Sequence, residues 1–157
     1  MNPKESGHIR RADPGEAKRI TQLTMRSKAH WGYSEEFMAA AAGELEFRPE
    51  KFGPDFLVFV IEEGAALAGF CSLLKVDPAT IELHDLFVDP PCIGRGYGKR
   101  LWRHAIEVAR ARGFQRMTLT ADPHAEPFYI AQGARRIGEI ASTVQKGRLL
   151  PLLEFDL

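Results

Sequence analysis

The spacing of hydrophobic and polar positions changes period several times along the chain, and each change marks an element. His8 to Arg11 reads as a short first strand. Asp13-Pro14-Gly15-Glu16 carries a helix-start pattern, with an Asp cap, a proline at the first position and a Glu that completes a capping box. Ile20, Leu23 and Thr24 then fall on one helical face, and the helix ends near His30. Trp31-Gly32-Tyr33 breaks the pattern, and Ser34 is placed to cap a second helix that reaches about Leu45. From Glu46 to Asp55 the period is lost, with Pro49, Gly53 and Pro54.

Phe56 to Ile61 is a continuous apolar run, as expected of a buried strand. Glu62-Glu63-Gly64 turns the chain, Leu67 to Leu74 returns, Asp77-Pro78 turns it again, and Ile81 to Val88 forms a further strand. Leu101, Trp102, Ala105, Ile106 and Ala109 make the apolar stripe of a helix that stops at Gly113. Phe114 to Thr120 is the next strand. Asp122-Pro123 then predicts a helix carrying Ala125, Phe128 and Tyr129 to Gly133. Arg135 to Ala141 and Arg148 to Phe155 close the chain as two strands, and Pro151 puts the last at an edge or a bulge. This order predicts one α+β domain over residues 1–157, with a mixed sheet and helices on both sides.

Between the Ile81–Val88 strand and the helix that follows lies the most distinctive stretch. Asp89-Pro90-Pro91 stops the strand, and glycines follow at 94, 96 and 98. A glycine loop feeding a helix N-terminus presents unpaired backbone N–H groups, which favour an anion. Arg95, Lys99, Arg100 and Arg103 add positive charge. Neither common nucleotide motif fits. A dinucleotide fingerprint would need glycine at Lys99, and a P-loop would need glycine at Ile93 and Ser or Thr at Arg100. The plain alternative is a sharp strand-to-helix turn with ordinary surface arginines.

Composition narrows the classes. Hydrophobic residues make up 45% and charged residues 27%, which suits a globular core. Lys+Arg 21 balances Asp+Glu 21, so the chain is not built to coat nucleic acid or an anionic membrane. Two cysteines, Cys71 and Cys92, give neither a disulfide framework nor a structural zinc site, and no histidine set has metal-ligand spacing. No apolar run spans a membrane and no signal region stands at the start, so a cytoplasmic location is expected. Monomer and homodimer both remain open.

The loop resembles the acetyl-CoA loop of the GNAT superfamily of N-acetyltransferases, written Arg/Gln-x-x-Gly-x-Gly/Ala. Gly96 and Gly98 match it, and Ile93 departs from it. Asp122-x-x-Ala125-x-x-Phe128-Tyr129-x-x-x-Gly133 is similar to the family's second cofactor motif, where Asn more often stands first. The resemblance implies a GNAT-like fold: a mixed, mostly antiparallel sheet of about seven strands, flanked by four helices, with a splayed central pair of strands. It implies acetyl-CoA as co-substrate, with no metal. The residues implied for it are Leu86, Phe87, Val88, Ile93, Gly94, Arg95, Gly96, Tyr97, Gly98, Lys99, Asp122 and Phe128.

The activity implied is direct transfer of acetyl to an amine of a small molecule or peptide. The alternatives are a non-catalytic acyl-CoA-binding module and an unrelated phosphate-binding protein. Tyr129 is implied as the group near the CoA sulfur; otherwise it is a core aromatic. Glu82 and His84 share one strand face by the period of two, with Asp85 on the other unless a bulge intervenes. Glu82 and His84 join Tyr129 as catalytic candidates; His84 is either a base or a histidine hydrogen-bonded in the wall, with Asp85 as its partner. Trp31, Tyr33 and Glu35 stand where the family builds its acceptor pocket. An aromatic, acidic wall would suit a cationic amine; helix packing and a solvated face are the plain reading.

Overall fold

The computed structural model describes residues 7–157. Its elements are β1 (His8–Arg11), α1 (Ala17–Ala29), α2 (Glu35–Leu45), β2 (Phe56–Glu63), β3 (Ala66–Lys75), β4 (Thr80–Val88), α3 (Tyr97–Ala111), β5 (Arg116–Thr120), α4 (Glu126–Ala131), β6 (Arg135–Ala141) and β7 (Leu149–Asp156). Their starts follow local chemistry. Asp13 and Glu16 form a reciprocal capping box around a single 3-10 turn that leads into α1. The Ser34 hydroxyl accepts the Phe37 N–H at the head of α2.

The seven strands lie in the order β1-β2-β3-β4-β5-β7-β6. Neighbours are antiparallel except β4 and β5, which are parallel. One face packs on α3, through Ile61, Leu73, Leu83, Leu101, Trp102, Met117 and Leu153. The other packs on α1, through Ile20, Leu23, Val58, Val60 and Phe70. All five α3 positions expected to point inward are buried.

The parallel pair sets the shape of the site. β4 and β5 are in register only at Thr80↔Arg116, Ile81↔Met117 and Glu82↔Thr118. Beyond Glu82 the strands part, and β4 runs on to Val88 with β3 as its partner on one side. Asp89 N–H reaches Ala68 O at 2.8 Å, so by the alternation of an antiparallel ladder Leu86 and Val88 turn their N–H and C=O groups toward the gap.

Three expectations are corrected. First, β4 carries a bulge. Ser72 pairs with Asp85 and Leu73 with Leu83, so His84 is an extra residue without a partner. Leu83 and Leu86, three apart, therefore both reach the α3 side, and the period of two puts Asp85 on the face of Glu82 and Phe87. Second, the helix after β5 starts at Glu126 rather than Asp122. Asp122 heads a turn instead, accepting the His124 N–H on its side chain and the Ala125 N–H on its carbonyl. Third, β7 is an inner strand, between β5 and β6. Pro151 is tolerated because its carbonyl, and so its missing N–H, faces Ala121 beyond the end of β5, while the side toward β6 keeps its bonds. The bulge nearby is on β6, between Arg136 and Gly138.

Gly69 on β3 is held by close approach. A Cβ there would stand 2.7 Å from Phe87 O and 3.1 Å from Leu101 Cδ1, and the nearer atom is backbone. Gly69→Ala should therefore push β3 off β4 at the gap. The expected cost is about 1–3 kcal/mol, as for overpacking, which is a melting temperature lower by roughly 2–10 °C. Thermal unfolding followed by circular dichroism measures it; an unchanged midpoint would show that the two strands move apart freely here.

Candidate active site

The glycine loop does what its composition asks. A 3-10 turn, Pro90–Cys92, leaves the strand, and Gly94 and Gly96 adopt φ of +87° and +82°, which L side chains rarely adopt. Among the described residues, the N–H groups of Gly94, Arg95, Gly96, Tyr97, Gly98 and Lys99 have no acceptor. They sit at the N-terminus of a 15-residue helix, so aligned donors and the helix dipole act on the same spot.

The four basic residues of this region divide. Lys99 lines the cleft. Arg95 turns away and pairs with Glu63 at 2.7 Å, a carboxylate that also accepts the Tyr97 hydroxyl at 2.8 Å. Arg100 donates to Gly7 O at 2.6 Å. Arg103 is exposed on α3.

The cleft has a volume of about 580 Å³ and runs from this loop through the gap between β4 and β5. Leu86, Phe87, Val88, Ile93, Gly94, Gly96, Tyr97, Gly98, Lys99, Asp122, Phe128 and Tyr129 all line it. Of the positions implied for the co-substrate, Arg95 alone does not. Gly98 faces Phe128 and Val88, where a Cβ would make ordinary contacts at 3.6–3.8 Å.

Tyr129 is buried, with its ring against Trp102 and Phe128. No described group hydrogen-bonds its hydroxyl. Burial first, then the negative charge of Asp85 and the Cys71 thiol, holds that hydroxyl protonated well above the usual tyrosine range.

His84 also lines the cleft, with its ring edge-on to Phe56. Its Nδ1 lies 3.6 Å from Glu82, an ion-pair distance, and that carboxylate raises its pKa against the opposing effect of burial. Glu82 does not line the cleft and reaches it through His84. Asp85, which the sequence reading did not select, does line it. Burial raises its pKa, and it accepts the Ser72 hydroxyl at 2.6 Å.

The far end of the cleft is organised by Asp122. Its carboxylate accepts from Lys28 Nζ, from the Tyr33 hydroxyl at 2.6 Å, and from the backbone and ring nitrogens of His124 at 2.9 and 2.8 Å. Burial alone would raise its pKa, but these donors hold it well below the carboxylate range. Burial, then the bond to Asp122, pushes Tyr33 up to about 12. Arg148 donates to the Tyr33 hydroxyl and lies over the Tyr33 and Phe37 rings.

Trp31 lines the cleft and stacks on His124 with centroids 5.2 Å apart. Tyr33 stands behind the lining as part of the network, and Glu35 is exposed in the first turn of α2, outside it. The acid expected from Glu35 is not in the lining; beside Glu44 and Asp122 the lining there holds two cations, Lys28 and Arg148. Neither was selected from sequence, because no local pattern ties residue 28 or 148 to residue 122. Among the described residues no group of three or more His, Cys, Asp or Glu is arranged to hold a metal ion.

A strand pair that parts over a glycine loop at a helix N-terminus defines a class of transferase fold, and comparison with known proteins agrees. Residues 18–134 match the Acetyltransferase (GNAT) family. The chain belongs to that family. It is 35% identical over 107 residues to a mycothiol acetyltransferase of Beutenbergia cavernae, a match that takes in 66% of this chain and 36% of that protein. The chain thus spans about a third of that relative.

Among solved structures, the PaiA N-acetyltransferase of Thermoplasma acidophilum in complex with coenzyme A superposes with a TM-score of 0.80 at 18% identity, covering 97% of this chain and 99% of the other. An aminoglycoside 6'-N-acetyltransferase complexed with coenzyme A gives 0.73 at 16%, covering 95% and 96%. At these identities the likeness is one of fold.

The bulge makes a prediction about His84. Its folded pKa is raised by Glu82, so folding favours its protonated form more than a free imidazole's. Any stability it lends is full below the free value of about 6.5 and is lost as pH rises through the folded value. A ring-proton NMR titration should place its midpoint above that of a free imidazole. Glu82→Gln should bring the midpoint down; an unmoved midpoint would disconnect the two side chains.

Proposed function

We propose that the chain is an acetyl-CoA-dependent N-acetyltransferase that moves acetyl directly from the CoA thioester to an amine of a small molecule or peptide. The observation that carries this is the run of N–H groups from Gly94 to Lys99, without an acceptor among the described residues, at one end of a cleft that continues along the freed edge of β4. The first feature suits a pyrophosphate. The second suits the amide groups of a pantetheine arm, which can add to β4 as a strand would. The reducing cytoplasm suits the two free cysteines.

Each chemical demand of the reaction has a candidate residue in or beside the cleft. The amine must lose a proton to attack, and His84, raised by Glu82, accepts it directly or through water. Glu82 is the positioning residue. The carbonyl oxygen gains charge in the tetrahedral intermediate, and the N–H groups that β4 turns into the gap are the donors at hand. The C–S bond then breaks, and the leaving thiolate takes the Tyr129 proton. Tyr129 suits this because it is protonated at neutral pH and its hydroxyl has no described partner to surrender.

Calorimetry should show saturable binding of both CoA and acetyl-CoA, and both should raise the melting temperature. Absence of binding would overturn the reading. Tyr129→Phe keeps the ring and removes the proton. It should hold CoA affinity within a few-fold while thiol-release turnover falls roughly tenfold to a thousandfold. Equal turnover, where chemistry limits the rate, would return Tyr129 to packing.

A further inference from the structure

At the far end of the cleft two cations, Lys28 and Arg148, meet two carboxylates, Asp122 and Glu44, and their pairing is uneven. Lys28 and Arg148 are both largely enclosed, with side chains 15% and 16% exposed. They share one carboxylate, Asp122, whose two oxygens are already taken by Lys28, Tyr33 and His124. The Arg148 guanidinium lies 3.8 Å from Asp122, beyond hydrogen-bond distance, and donates once, to a neutral phenol. A guanidinium has five N–H donors, so Arg148 lines the cleft with most of them unspent. Glu44 also lines this end, but it accepts the Thr143 hydroxyl at 2.6 Å and makes no ion pair with Arg148. Those unpaired nitrogens are not buried, so they face the open cleft and are free to take a ligand's acceptor.

Resting on the acetyltransferase reading above, we propose that the acceptor is an amine that carries its own carboxylate, of the amino-acid class, and that Arg148, supported by Lys28, holds that carboxylate. Arg148 suits the task because a planar guanidinium grips a carboxylate through two parallel bonds. The Tyr33 and Phe37 rings fix its plane from below, with centroids 4.9 and 5.1 Å from its central carbon. The stacked Trp31 and His124 rings offer an apolar wall for the rest of the molecule. Arg148, Asp122 and Tyr129 line the same cleft, so the anchor and the acyl-transfer point share one space. Polyamines and other amines without a carboxylate would leave the Arg148 donors unused, and the site should prefer the amino acid.

The test is thiol release from acetyl-CoA with the protein amino acids, each beside its own carboxamide, and with putrescine and spermidine. At least one amino acid should exceed its amide by tenfold or more in kcat/KM. Arg148→Gln should erase that preference through KM for the amino acid, with KM for acetyl-CoA within a few-fold. Arg148→Lys should restore part of it.

The melting temperature of each variant separates lost recognition from lost folding, and Lys28→Met, which leaves Arg148 in place, should show a smaller loss of the same preference. Turnover of amides or polyamines as good as that of the amino acids would overturn the proposal. So would a preference that survives in folded Arg148→Gln, or CoA binding with no amino acid turned over. Failure to bind CoA at all would instead remove the acetyltransferase reading on which the proposal rests.

Discussion

The structure depends on the point at which β4 and β5 cease to pair. A parallel pair satisfies its backbone groups only while the strands stay about 5 Å apart. Here three register positions hold them together, and then each goes its own way. β4 survives the separation because β3 supports it along its whole length, and β5 because β7 does. The gap is thus bounded by two strands that are each half-satisfied. The groups β4 turns into it are an edge inside a sheet, and an extended ligand can complete that edge. The glycine loop lies at the mouth of the same gap because β4 leads straight into it.

The bulge at His84 belongs to the same construction. The extra residue shifts the facing of β4 between Leu83 and Asp85, so apolar Leu83, Leu86 and Val88 all serve the α3 core while the strand leaves its neighbour. It also releases His84 from pairing and turns it to the cleft. A polar residue without a ladder partner is available for chemistry in a way that a paired one is not.

Most of the fold was legible in the sequence, because the signals that carry it are local. The apolar stripe of α3, the Ser34 cap, the Asp13–Glu16 box and the left-handed glycines are each encoded within a few residues. What was not legible depended on partners far away in the chain. The period of two placed Asp85 on the wrong side because a bulge is set by the register with β3. Asp122 looked like a helix cap because Pro123 follows it, yet its side chain is drawn to Lys28 and Tyr33, 94 and 89 residues earlier. Pro151 suggested an edge because only the assembled sheet reveals that β5 ends one residue short of it. Arg95 looked like a phosphate ligand until Glu63, 32 residues before it, appeared within 2.7 Å.

This division between local and distant signals also falls between the two halves of the site. The end that suits the phosphates is made almost wholly of one continuous stretch, from Leu86 to Lys99, acting through backbone groups that any sequence with those glycines would present. The end proposed here for the acceptor is assembled from α1, the turn after it, the end of β5 and the start of β7, which meet around the Asp122 carboxylate and the Tyr33 hydroxyl. Its specificity lies in side chains rather than backbone, and a single substitution at residue 28, 33 or 148 would alter its charge or shape without disturbing any element. Such an arrangement lets one strand-loop-helix unit keep the donor end constant while the acceptor end varies. It follows that likeness to other GNAT folds bears on the strand-loop-helix end of this cleft, and that the acceptor must be argued from the side chains gathered at the other end.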